Sequence, residues 1–396
     1  MTWLAEAEPL IREATDLLAA SPDPLAASSA LRRAHPDLPP DRAAQVLEQA
    51  HLRRAARDRH GRPDADALLL TRDGLEQGTR ADIAQRRAHL IREAGTRRVL
   101  DLTAGLGFDA RAFAEAGLHV TAVERDGATA ELLAWNLRPW SNADVVVADA
   151  TSPDVARLVA ELEPTDVVFI DPARRDPAGP RDLSTARARP ERDPDRWSPP
   201  LSFITALTHP RIVIKAAPAF APPVGWHGEW VSHRRTLAEC TAWSWPVFSP
   251  TRRAVVMGEE TTVVEPHTRV ARAKDVGALL HEPDPAIIRA GLLRDLGVAW
   301  LDEASTWLTS DEPVRPELSP TMRSFRVLDT LAGSTAEQRM TLSGLGITHA
   351  VIKSRDVDVD PRKDLARLRL REGGTHVIVM TRHRGRLLSA VTLPVA

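Results

Sequence analysis

Apolar positions follow two different periods along this chain. Residues 1 to about 94 carry them at helical spacing, in LAEAEPLIREATDLLAA, DRAAQVLEQAHLRRAARDRH and TRADIAQRRAHLIREAG, with breaks at SPDP and PDLPP. From about residue 95 the period alternates. RRVLDLTA, HVTAVERD, ADVVVADA, DVVFIDP and RIVIKAA read as strands, with helices between them over Phe108–Glu115, Ala128–Leu137 and near Val155–Glu163. Strands alternating with helices predict a parallel sheet covered on both faces, and the apolar strand centres suit that burial. After Ala217, Trp230–Trp245 and Ala254–Met257 read as two more strands without a crossover helix, hence an antiparallel edge pair. A linker near Pro266–Lys274 opens a small α+β unit. It starts with the helix PDPAIIRAGLLRDLG and ends with HAVIKSRDV, a helix over Arg362–Arg369, and the strands HVIVMTRH and RLLSAVTL joined by an Arg-Gly turn. Three parts are expected: a helical region over 1–94, an α/β core over 95–265 and a C-terminal domain over 270–396. Pro172–Pro200, rich in Arg, Pro and Asp, reads as a long mobile loop.

Composition narrows the classes. With 396 residues, 43% of them apolar, the chain can bury two or three cores. Basic and acidic residues nearly cancel, 52 against 54, so no global polycation is available to hold nucleic acid. Locally the balance shifts: residues 281–320 carry a net charge of −5 and residues 321–396 a net charge of +6. That asymmetry fits either a solvated face or a polyanion-binding surface. The single cysteine, Cys240, excludes an internal disulfide framework and a Cys-based zinc site, and the thirteen histidines show no metal-ligand spacing. No metal is expected. The first twenty residues lack a basic n-region and a long apolar run, and no stretch approaches the roughly 18 apolar residues of a membrane span. A cytoplasmic protein without membrane association is the expectation.

The chemistry concentrates at strand ends. The first strand runs into Asp101-Leu102-Thr103-Ala104-Gly105-Leu106-Gly107-Phe108-Asp109 and then directly into a helix. Glycines at such a turn let a ligand approach the backbone, and the helix start offers unpaired N–H groups. The second strand ends at Glu124, 17 residues after Gly107, where a carboxylate can accept both hydroxyls of a ribose. The third ends at Asp149 and the fourth at Asp171-Pro172. Four acids thus line the edge where open α/β sheets bind ligands. Asp109 stands near the start of the helix that follows the first strand. An acid there repels a pyrophosphate but can pair with a cationic or amino-bearing ligand, which favours adenosine without phosphates.

VLDLTAGLGFDA, AVERD, ADAT and FIDPARRD, in this order and spacing, resemble the class I S-adenosylmethionine-dependent methyltransferases over about residues 74–258. The resemblance is nearest to the branch with a DPP-type fourth motif, which includes trimethylguanosine synthase-like and other N-methyltransferases. EPDPAIIRAG, LTSDEP, FRVL and VIKSRDVDVDP resemble the THUMP-like domain of bacterial proteins that pair it with such an enzyme. The resemblance implies a Rossmann-like sheet with an antiparallel edge hairpin and S-adenosylmethionine as cofactor. Asp101, Thr103, Gly105 and Gly107 would form its turn, with Asp109 beside them. Glu124 would bind the ribose and Asp149 the adenine amino group. Thr79, with Gly78, lies where relatives close a segment over the cofactor, although Thr79 also fits a helix N-cap.

In that branch the motif's acid and proline carbonyl bind an exocyclic amine, and an aromatic residue stacks on the base. Here the tetrapeptide is Asp171-Pro172-Ala173-Arg174, without the second proline and the aromatic. Arg174 can replace the ring by guanidinium stacking or can pair with a phosphate. Asp171, Pro172 and Arg174 are the candidate catalytic residues. Uracil methyltransferases that attack through cysteine carry it after the next strand, where this chain has Lys215 and no thiol. The family's usage implies RNA, tRNA or rRNA, as the partner. A cofactor- and RNA-binding module without turnover, and a small-molecule or protein methyltransferase, remain the alternatives.

Overall fold

The computed structural model describes residues 3–20, 23–174, 181–182, 187–188, 191–267 and 270–395. Contacts divide the chain into two compact units: residues 1–216 with 243–247, and residues 217–242 with 248–396.

The first unit begins with helices α1 (Trp3–Glu6), α2 (Glu8–Ala20), α3 (Pro24–Ala34), α4 (Pro40–His60), α5 (Arg72–Gln77) and α6 (Ala81–Glu93). Ile11, Leu18, Leu31, Val46 and Leu68–Leu70 form one buried cluster that also contains Leu106, Phe108 and Leu132. The helices therefore share their core with the glycine turn. Leu68, Leu69 and Leu70 are buried but pair with no strand; the Leu68 amide donates to the Ala65 carbonyl at 3.1 Å and side chains satisfy the other backbone groups. Arg53 donates to the Leu68 carbonyl at 2.8 Å, and Gln49 bonds both the amide and the carbonyl of Leu70. Asn136 accepts from the Leu69 amide at 2.8 Å and donates to the carbonyls of Leu69 and Leu106, each at 3.0 Å. One buried amide thus fastens the glycine turn to the helical region.

The sheet of this unit follows: β1 (Arg98–Asp101), α7 (Phe108–Glu115), β2 (His119–Glu124), α8 (Gly127–Leu137), β3 (Ala143–Val147), α9 (Pro153–Ala160), β4 (Val167–Ile170), the two-residue β5 (Arg181–Asp182) and β6 (Arg187–Ala188), α10 (Leu201–Ala206) and β7 (Ile212–Ala216). The order β3-β2-β1-β4-β7 is parallel throughout. Its order reverses between β1 and β4, and such switch points open a crevice at the strands' carboxyl ends. Local chemistry sets the helix starts. Asp126 caps α8 by accepting from the Thr129 amide at 2.8 Å, and Ser152 caps α9 ahead of Pro153.

The second unit contains β8 (His227–His233), β9 (Thr236–Trp243, whose last residue counts with the first unit), β10 (Arg252–Met257), β11 (Thr261–Val264), β12 (Leu279–Pro283), α11 (Pro285–Ala290), β13 (Ala299–Trp300), β14 (Leu308–Ser310), β15 (Met322–Thr330), α12 (Thr335–Gly344), β16 (His349–Ser354), α13 (Pro361–Leu368), β17 (Arg371–His383) and β18 (Arg386–Pro394). The expected antiparallel pair at 230–257 is instead three strands, and β10 pairs with β8 in parallel. The reason is the turn at Arg234 and Arg235, both at positive φ. It reverses the chain through β9, so β10 runs again in the direction of β8 and inserts on its other side. The antiparallel edge hairpin is β10–β11. The later strands form a sheet of order β13-β14-β12-β15-β18-β17-β16, larger than the α+β unit expected from sequence. The helix expected over PDPAIIRAGLLRDLG stops at Ala290, where Gly291 takes a left-handed φ of +70°. The unit boundary near residue 216 also differs from the linker expected at 266–274, because α11 packs on β8 and β10. Among the described residues no helix is long and apolar enough to cross a membrane.

Candidate active site

Asp101, Glu124 and Asp171 come together at the carboxyl ends of β1, β2 and β4. Asp101 closes β1, is almost wholly buried, and accepts from the Thr103 amide at 3.1 Å. Gly105, at φ +53°, donates its amide to one oxygen of Glu124 at 3.0 Å. The other oxygen of Glu124 accepts from the Asp126 amide at 2.9 Å. Each carboxylate oxygen keeps a second lone pair, which suits a diol. The Thr103 hydroxyl accepts the Asp171 amide at 2.7 Å, tying the turn of β1 to the end of β4. Gly107, at φ +83°, starts α7, and a Cβ there would lie 2.5 Å from Leu133. At Gly105 a Cβ would meet nothing within 4 Å. That leaves open space above the turn.

Burial pushes the Asp101 carboxyl well above the usual aspartate range; Asp109 and Asp171 add repulsion, opposed by the Thr103 amide and by Lys215. The folded state therefore holds this proton more tightly than the unfolded chain. Its contribution to stability is present at low pH and is lost as pH rises through the folded-state value. Asp101→Asn, which keeps an oxygen for the Thr103 amide, is expected to melt higher than the native chain at neutral pH. The gain should fade as pH falls toward 3.8, the ordinary value. Equal melting curves at neutral pH would contradict a costly buried carboxylate.

Asp149 stands two residues beyond β3, exposed, with one oxygen accepting both the amide and the hydroxyl of Thr151 at 2.8 and 2.6 Å. Those bonds hold its carboxyl below the usual range. Asp109 and Thr79 are placed differently from the expectation. The Thr79 hydroxyl donates to one oxygen of Asp109 at 2.5 Å, and Arg87 of α6 bonds the other. Both residues are buried. Asp109 thus fastens α6 to the start of α7, with both oxygens engaged by the chain. Thr79 does not cap α6, whose N-cap is Arg80. Gly78 is needed for close approach, since a Cβ there would lie 2.0 Å from the Phe108 ring.

The tetrapeptide after β4 is fixed by a later segment. Ala173 and Ser198 exchange backbone hydrogen bonds at 2.8 and 3.0 Å, and the Glu191 amide donates to the Arg174 carbonyl at 2.7 Å. Pro172 is buried and the Arg174 side chain half-buried. Arg125, next to Glu124, reaches Ser198 Oγ at 3.0 Å and links the β2 end to this segment. Residues 175–180, 183–186 and 189–190 of the expected mobile loop over Pro172–Pro200 lie outside the described residues. Sequence reasoning gave no role to Lys215 of β7, whose ammonium bonds Asp171 Oδ2. The available signal was a lone lysine at the carboxyl end of the apolar strand IVIKA. Among the described residues no group of three or more His, Cys, Asp or Glu could hold a metal ion.

The donor set suits S-adenosylmethionine: open space over Gly105, carboxylates for a diol and an amine, and an acid near the switch point for a sulfonium. Strand order, glycine turn and the row of acids are those of a Rossmann-like methyltransferase. Residues 67–176 match the family of SAM-dependent methyltransferases, and residues 322–392 match the THUMP domain-like family. S-adenosylmethionine-dependent methyltransferases from two strains of Mycobacterium tuberculosis are 30% identical to the chain over 369 residues, covering 89% of it and 96% of the relatives. The chain belongs to the S-adenosylmethionine-dependent methyltransferases, with a THUMP-like domain at its C-terminal end. A methyltransferase structure from Porphyromonas gingivalis shares the fold, with a TM-score of 0.67 at 18% identity over 91% of this chain and 92% of that one.

Proposed function

We propose that this enzyme transfers a methyl group to a nitrogen of an RNA base, with Asp171 and Pro172 at the acceptor and Glu124 and Asp149 on the adenosine. When bound, the cofactor supplies an electrophilic methyl: the acceptor lone pair forms the new N–C bond as the C–S bond breaks, its electron pair stays on sulfur, and the acceptor's proton leaves. Such a displacement needs in-line placement above all, so positioning carries most of the rate. The Gly105 turn and Glu124 hold the cofactor, while the Thr103 hydroxyl holds Asp171 at a fixed height above β1. The Asp171 carboxylate accepts an acceptor N–H and turns the lone pair toward the methyl. It need not be a strong base.

The observation that carries the RNA reading is the THUMP-like match over a stretch with net charge +6. Arg362, Lys363, Arg369, Arg371, Arg382, Arg384 and Arg386 are exposed there. Lys363 and Arg384 pair with Asp360 at 3.7 Å and Asp275 at 3.3 Å, surface contacts of the kind that exchange readily for phosphates. Arg367 has a packing role instead: it bonds Asp364 at 2.9 Å and Gln338 at 2.7 Å, joining α13 to α12. Arg355 pairs with Glu282 of β12 at 3.2 Å.

The full-length protein should bind structured RNA with an affinity that falls as salt rises. Replacing Arg362, Arg371 and Arg386 by glutamine should reduce the slope of log K against log salt by about 0.7–0.9 per lost phosphate contact. Binding that is absent, or indifferent to salt, would move the acceptor to a small molecule or a protein. The decisive comparison is mass spectrometry of modified nucleosides in RNA from a deletion strain and its parent. The missing methyl group should return when purified enzyme and S-adenosylmethionine are added to the deletion-strain RNA.

A further inference from the structure

Lys215 is nine-tenths buried, and burying an ammonium is costly unless it is paired. Its partner is not a distant structural acid but Asp171. β4 and β7 run in parallel register, Phe169 beside Val213 and Ile170 beside Ile214. Asp171 and Lys215 therefore stand level with each other at the carboxyl edge of the sheet, where the ammonium bonds Oδ2. Asp171 is fixed a second time from β1, through its amide and the Thr103 hydroxyl. The field at Asp101 includes both members of the pair, which places all three groups in one electrostatic neighbourhood.

The pair has a consequence for a cofactor that is a cation before transfer and neutral after it. A lone carboxylate beside the sulfonium stabilises the ground state, and that attraction is lost as positive charge leaves sulfur, which raises the barrier. An ammonium bonded to the carboxylate offsets this attraction and leaves the carboxylate's other oxygen as a hydrogen-bond acceptor for the nucleophile. We propose that Lys215 is a positioning and charge-balancing residue of the methyl-transfer site: it aims Asp171 at the acceptor and keeps the pocket from holding the sulfonium much more tightly than the thioether product. This rests on the reading that places the cofactor sulfur near Asp171.

The test needs no acceptor. Calorimetric titration of the full-length protein with S-adenosylmethionine and with S-adenosylhomocysteine gives two affinities whose ratio reports the charge seen by the sulfonium. In Lys215→Met the preference for S-adenosylmethionine should rise on the order of tenfold, because the carboxylate then acts unopposed. Lys215→Arg should restore the native ratio, and Asp171→Asn should lower it below native. A merely structural lysine would weaken both ligands alike and leave the ratio unchanged; that result in folded Lys215→Met overturns the proposal. Should Lys215→Met fail to fold, an unchanged ratio in Asp171→Asn overturns it equally. If the native protein binds neither ligand, the placement of the cofactor fails, and the role of Lys215 falls with it.

Discussion

Asp171→Asn should lose methyl transfer by about 10²-fold or more while the protein still binds S-adenosylhomocysteine with nearly native affinity. Asparagine preserves the side-chain shape and the amide that bonds the Thr103 hydroxyl, so the end of β4 keeps its place. It loses the carboxylate that accepts the nucleophile's N–H. Alanine is the poorer test, because it strips the buried Lys215 ammonium of its partner and mixes a stability loss with a catalytic one. Turnover is read as methyl incorporation from labelled cofactor into RNA of a deletion strain. Native turnover by Asp171→Asn at saturating RNA would place the acceptor elsewhere along the sheet edge.

Gly105→Val is expected to abolish cofactor binding, with an affinity loss of about 100-fold or more, equivalent to ~2.7 kcal/mol. Two effects act together. The residue sits at φ +53°, which a β-branched side chain tolerates poorly, and its added atoms would occupy the open space above the turn. Backbone strain alone is separated by Gly95→Val. Gly95 also has positive φ and open space around its missing Cβ, but it lies before β1, at the amino end of the sheet. The control should lower the melting temperature and leave binding intact. Native binding by Gly105→Val would mean that the cradle is not at this turn.

The elements set by short-range pattern were legible. The helix expected over Phe108–Glu115 is α7 to the residue, since Gly107 starts it and its apolar spacing carries it to Glu115. The β2 strand ends at Glu124 as expected, and Glu124 meets the glycine turn because parallel neighbours put their carboxyl ends at one edge. What failed to show was long-range. Asp109 looks like a site acid from spacing alone; that its two oxygens are taken by Thr79 and Arg87, 30 and 22 residues upstream, depends on how α6 docks on α7. β12, β14 and β15 carry weak alternation, and their pairing across the seven-stranded sheet is what makes them strands.

By itself, then, this sequence determined the alternating α/β order, the glycine turn, and which acids end which strands, because each follows from contacts between residues close in the chain or from the repeat of the parallel sheet. Only the tertiary structure decided what each of those acids bonds. Glu124 and Asp171 stand at the switch point, held by the glycine turn and by Lys215, while buried Asp109 joins the helical region through Thr79 and Arg87. It also decided that a lysine 44 residues beyond Asp171 becomes its partner. Side-chain periodicity says which face of a strand a residue occupies, but the strand that lies beside it is chosen by packing over the whole unit.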